Sequence, residues 1–94
     1  MIVDVEHDEE RQQFVAQVEG RNSFLRYARV DERTVDLRTT WVHPDLRGRM
    51  VGETLVKRAL DWARENGYEV IPTCWFVDTV VERNPGYRDL LVTR

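Results

Sequence analysis

VHPDLRGRMVGETLVKRALDWAREN, running from Val42 to Asn66, is the stretch that decides how this chain folds. Pro44 biases His43 towards an extended backbone and removes one N–H donor, so a strand entering from the N-terminal side is expected to stop there. From Val51 onward Leu55, Ala59 and Ala63 recur every four positions, flanked by Val56, Leu60 and Trp62. That is the period of a half-buried helix, and Gly67 stands where a left-handed residue would end it. Between strand and helix lies a loop with Arg47, Gly48, Arg49 and Gly52. The first helical turn thus offers unpaired backbone N–H groups beside two arginines and two glycines. The donors and the helix dipole both favour a bound anion at such a start.

Upstream of this stretch the pattern is strands. Val3 and Val5 alternate with acids, giving a first strand over residues 2–7. Phe14, Ala16 and Val18 alternate with Val15, Gln17 and Glu19 in a second, and residues 20–23 have turn chemistry. A third strand covers 24–30, with Leu25 and Tyr27 opposite Phe24, Arg26 and Ala28. The fourth covers 34–42, with Val35, Leu37, Thr39 and Trp41 on one side and Asp36, Arg38 and Thr40 on the other. Short links between these four imply an antiparallel meander. After the helix, residues 68–73 read as a fifth strand, reached by a crossover that suits parallel pairing with the fourth. Pro72 cannot donate to a ladder, so pairing should fail there and the two strands should splay into a wedge. A short helix over 76–83 follows, broken by Asn84, Pro85 and Gly86, and the tail 87–91 should pack back on the sheet. The expectation is an α+β fold: a mixed sheet, a crossover helix, a splayed fifth strand and a short C-terminal helix.

Composition narrows the function classes. Ninety-four residues suit one domain over 1–94, and a third of them are charged. No apolar run approaches the roughly 20 residues of a membrane span. The acidic N-terminus lacks the basic and apolar regions of a signal peptide, and the lone Cys74 has no internal disulfide partner. Both suit a cytoplasmic protein away from membranes. A net charge of −3 gives no support to nucleic-acid binding and is compatible with a cationic partner such as an amine. Two histidines and one cysteine, well separated, make no metal site. The loop has neither the Gly-Lys-Ser/Thr of a Walker loop nor the G-x-G-x-x-G of a dinucleotide fold.

The loop and helix start, VHPDLRGRMVGETLV after a strand, resemble the acyl-CoA loop of the GCN5-related N-acetyltransferases, whose pattern is R/Q-x-x-G-x-G/A. Arg47 matches the first position and Gly52 the last, while Met50 replaces the middle glycine. Phe14, Tyr27, Thr40, the segment IPTCWF (71–76) and ERNPGYRDL (82–90) resemble a short subgroup of about a hundred residues along nearly the whole chain. The resemblance implies an acetyl-CoA-dependent N-acetyltransferase that uses acetyl-CoA as cosubstrate and acylates a primary amine of a small molecule or peptide. The alternative is a CoA-binding or protein-interaction module that keeps the fold without the chemistry. A monomer or weak homodimer is expected.

Carried over, the resemblance puts the pyrophosphate on the N–H groups of Arg47, Gly48, Arg49, Met50, Val51, Gly52 and Glu53, with Arg47 or Arg49 adding charge. The pantetheine arm would pair with backbone at Trp41 and Val42, the Val42 N–H facing the thioester oxygen. Cys74, just past Pro72, would lie near the thioester as acyl acceptor, proton donor or packing residue. Tyr87 is read as packing the tail, His43 as a solvated loop residue, and His7 as a surface residue. At Met50 two outcomes are open: a negative φ that leaves the loop intact, or a positive φ that forces it to remodel.

Overall fold

The fourth strand, β4 (Thr34–Trp41), joins the two parts of the sheet: one edge pairs with the preceding strand of the meander and the other with the strand reached by the crossover. The computed structural model describes residues 3–92. Its strands are β1 (Asp4–Asp8), β2 (Gln13–Val18), β3 (Arg21–Arg29), β4 and β5 (Glu69–Ile71), in the sheet order β1-β2-β3-β4-β5. The first three pairings are antiparallel and β4–β5 is parallel. Helix α1 (Val51–Glu65) makes the crossover and α2 (Trp75–Arg83) follows β5. Two short 3-10 helices, Pro44–Leu46 and Pro85–Leu90, complete the order.

Phe14, Ala16, Leu25, Val35 and Leu37 of the sheet are fully buried against Leu55, Val56, Ala59, Leu60 and Ala63 of α1. Alternation in the strands meets the four-residue spacing of the helix, so one layer of apolar side chains serves both. Val77 and Val80 of α2 extend that core. No helix among the described residues is long and apolar enough to cross a membrane.

Three local readings change. The connection between β2 and β3 is only Glu19 and Gly20, both at positive φ (52° and 75°), and Val18 pairs with Arg21. This is the two-residue hairpin whose twist matches its strands, so Arg21 to Ser23 already belong to β3. In β4, Arg26 pairs with Thr39 but Tyr27 pairs with Leu37, leaving Arg38 as an extra residue in a β-bulge. The bulge reverses the alternation beyond it. Thr40 therefore shares the helix-side face with Leu37, and Trp41 lies on the opposite face, stacked on Phe24 with ring centroids 5.7 Å apart. Asp36 and Thr40, expected on one face, lie on opposite faces.

His7 is the third change. Its side chain is only 13% exposed, stacks on Phe14 at 4.1 Å and shares a 2.7 Å hydrogen bond with the Tyr27 hydroxyl. Trp62 of α1 meets His7 edge-on and Tyr27 at a tilt, so a residue of polar appearance is packed among aromatics. Burial lowers the His7 pKa from 6.5, with Arg58 and Arg29 acting in the same direction against Glu9 and Asp8. Burial also raises that of Tyr27.

Candidate functional site

β4 and β5 stay paired for three residues, Thr34 with Glu69, Val35 with Val70 and Asp36 with Ile71. Beyond them the Cys74 N–H still donates to the Leu37 carbonyl at 3.0 Å, and then the strands part. Pro72 has no N–H to continue the ladder. The gap opens into a groove of about 500 Å³, within the usual range of roughly 300–1,000 Å³ for small-molecule sites. Among its lining residues Thr40, Val42, Gly52, Cys74 and Phe76 are buried or half-buried, and Arg47, Gly48, Met50 and Arg83 are exposed.

The His43 N–H donates to Ser23 Oγ on β3 at 3.0 Å. Because successive peptide groups of a strand point to opposite edges, those of Thr40 and Val42 face the groove while those of Trp41 face β3. The Val42 carbonyl accepts from Arg47 Nε at 3.3 Å. The wedge thus has an extended edge with backbone donors and acceptors, which a ligand with alternating amides can complete.

At the other end, the first intrahelical bond of α1 runs from the Thr54 N–H to the Met50 carbonyl at 3.0 Å. The preceding N–H groups of Val51, Gly52 and Glu53 lack helical partners, and no side chain caps them. Met50, the residue before the helix, has φ +66° and sits 61% exposed with its side chain outward. Of the two outcomes posed for it, positive φ is the one observed, and the loop leads directly into the helix. Gly48 also has positive φ, +81°. Gly52 answers to space instead, since a Cβ there would lie 2.9 Å from Phe76 Cε2 and 3.0 Å from Val42 Cγ2. Its hydrogen lets α1 press against the groove wall.

Of the residues singled out from the sequence, Trp41, Val42, Arg47, Gly48, Met50, Val51, Gly52, Glu53 and Cys74 line this one groove. Arg49 does not: its Nη1 pairs with Glu19 Oε2 at 2.6 Å. Arg21 Nε likewise holds Asp45 Oδ2 at 2.7 Å, so the β2–β3 turn clamps the loop and Arg49 belongs to the clamp. His43 Nδ1 accepts from the Asp45 N–H at 3.1 Å, capping the first 3-10 helix outside the groove. The Tyr87 hydroxyl bonds to Asp61 Oδ1 at 2.8 Å, away from the groove, and burial together with that carboxylate pushes its pKa up to about 12.

Cys74 is 9% exposed, and its Sγ lies 3.6 Å from Thr40 Oγ1 across the point where the strands part. No histidine lines the groove, and among the described residues no group of three His, Cys, Asp or Glu could hold a metal ion. Trp75, read from the sequence with Trp41 and Trp62 as a core or pocket-wall aromatic, lines the groove, whereas Phe76 and Arg83 are lining residues that reading the sequence did not single out. The signal for both was present, because Phe76 and Arg83 are seven residues apart and so share a face of α2.

The chain resembles known proteins along most of its length. A GCN5-related N-acetyl-transferase family profile matches residues 13–90. Protein NATD1 of Homo sapiens is 39% identical over 83 residues, covering 86% of this chain and 74% of that protein. Protein NATD1 of Danio rerio is 37% identical over 83 residues, covering 86% and 76%. The solution structure of a GCN5-like putative N-acetyltransferase from Staphylococcus aureus superposes with a TM-score of 0.74 at 26% identity, covering 97% of this chain and 89% of that one. With the profile spanning most of the chain and relatives at more than a third identity, the chain belongs to the GCN5-related N-acetyltransferase family.

Proposed function

We propose that the groove binds acetyl-CoA and that the protein transfers its acetyl group to a primary amine. The observation that carries this reading is the meeting of two sets of backbone groups in one groove: the uncapped N–H groups at the start of α1 and the parted edge of β4. The first suits a pyrophosphate, with the exposed Arg47 beside it; Arg49 is left out because Glu19 holds it. The second suits the pantetheine amides, which run as an added strand along Thr40 and Val42. The thioester then falls between Thr40 and Cys74.

In that geometry the amine nitrogen attacks the thioester carbon and loses its proton to solvent, since no histidine lines the groove. A groove-facing N–H of Thr40 or Val42 donates to the oxygen that gains charge. The C–S bond breaks and the CoA sulfur takes a proton. The Cys74 thiol, which donates to the Thr40 hydroxyl in the resting protein, is our choice for that donor and is then reprotonated from solvent. Cys74→Ala should cut turnover by about 10²–10⁴-fold with unchanged CoA affinity. Full turnover per folded molecule in this variant would remove Cys74 from the chemistry.

A binding module that holds CoA without turnover is the second reading, favoured by the lack of a histidine in the groove. Thiol release from acetyl-CoA across a panel of primary amines separates the two. Release above the rate without protein supports transfer. Binding without release for any amine supports the module, and absence of binding defeats both.

A further inference from the structure

The side chains of two groove residues, Arg83 and Glu53, have no task in acetyl-CoA binding as proposed. Arg83 stands in the last turn of α2, on the same face as Phe76 and two turns further along, and lines the groove. Ion pairs among the described residues engage Arg11, Arg21, Arg49 and Arg64, and none engages Arg83. Glu53, only 6% exposed, lines the same groove and makes no hydrogen bond or ion pair with the described residues. Its carboxylate and the Arg83 guanidinium do not meet within 4 Å, the limit for an ion pair. A free cation and an acceptor-only carboxylate therefore face one space, and an occupant must bring a negative group for the first and a donor for the second.

We infer that Arg83 binds the 3′-phosphate of CoA, so that the protein distinguishes CoA from dephospho-CoA. The inference rests on the CoA reading and extends it to the adenosine end. CoA carries negative charge at the pyrophosphate and at the 3′-phosphate. The start of α1 and Arg47 serve the first, which leaves Arg83 as the remaining groove cation for the second. A ribose hydroxyl or the adenine amino group offers the kind of donor that the Glu53 carboxylate accepts. A solvated helix-end arginine, favoured by the dipole alone, would show no such selectivity.

Isothermal titration of the wild type and of Arg83→Gln with CoA and dephospho-CoA tests this. The wild type should bind CoA at least about tenfold more tightly, the size of one charge-assisted contact. Arg83→Gln should lower CoA affinity to the dephospho-CoA level and leave dephospho-CoA affinity unchanged. Arg83 is exposed, so the variant should melt like the wild type, and the wild-type comparison alone still reads the selectivity. Equal affinities in the wild type, or an equal loss for both ligands in the variant, would overturn the inference while leaving CoA binding intact. Binding of neither ligand would overturn the CoA reading and this inference with it.

Discussion

Met50 holds a left-handed backbone at the start of α1 with its side chain in solvent. The left-handed region costs a side-chain-bearing residue about 1–2 kcal/mol, and at φ +66° Met50 bears that cost with nothing gained from its exposed side chain. Met50→Gly should therefore raise stability by about 0.5–1 kcal/mol after the extra entropy of glycine in the unfolded chain is subtracted. A higher urea midpoint at unchanged slope would confirm it, and a lower one would mean that the methionine side chain contributes packing. His7 makes a different prediction. Burial lowers its pKa in the fold, so between that value and 6.5 the unfolded chain binds more protons than the folded one. Stability is then complete above pH 6.5 and declines as pH falls below it. Urea titrations at several pH values should show this loss in the wild type and a flatter profile in His7→Gln; identical profiles would show that His7 is not the titrating group.

At the scale of elements, the bulge in β4 and the start of α1 make the site between them. The helix was legible in the sequence because its four-residue spacing survives any packing partner, and Pro44 and Gly67 mark the limits of its segment. The parting of the strands was legible at Pro72 for a covalent reason, a missing N–H. The bulge was not, because Arg38 becomes the extra residue only through the register of β4 against β3, which the alternation within β4 does not reveal. That is why Trp41 falls on the opposite face from Leu37 and why Thr40 turns towards Cys74. The burial of His7 was hidden likewise, since it depends on Trp62 arriving from an element 55 residues later in the chain. Gly52 was recognised as part of the loop, but its reason proves to be contact with Phe76 and Val42. Gly52→Ala should displace Phe76, and such overpacking typically costs about 1–3 kcal/mol, partly offset by alanine's helix preference of about 1 kcal/mol. Because Phe76 is a groove wall, CoA affinity should fall more than stability does. Unaltered CoA affinity in a folded Gly52→Ala protein would show that this contact does not shape the site.

Across the whole molecule, the groove stays open because the chain beyond it is secured elsewhere. Arg64 Nη1 and Nη2 each reach a carboxylate oxygen of Asp89 at 2.9 Å, and Nη2 also donates to the Gly86 carbonyl at 2.7 Å. Tyr87 ties the same segment to Asp61, and the Val92 N–H closes on the Val70 carbonyl at 2.9 Å, along the free edge of β5. The tail thus covers β5 and leaves the parted ends of β4 and β5 to a ligand. Amide NMR of the uniformly ¹⁵N-labelled protein titrated with CoA tests this arrangement most directly, because it reads each backbone donor separately. The amides of Thr40, Val42, Gly48, Val51, Gly52 and Glu53 should shift together and saturate with one dissociation constant, while Gly20 in the β2–β3 turn and Gly67 after α1 stay in place. No shifts at all, or shifts that leave both Val42 and Gly52 untouched, would contradict the placement of CoA in this groove.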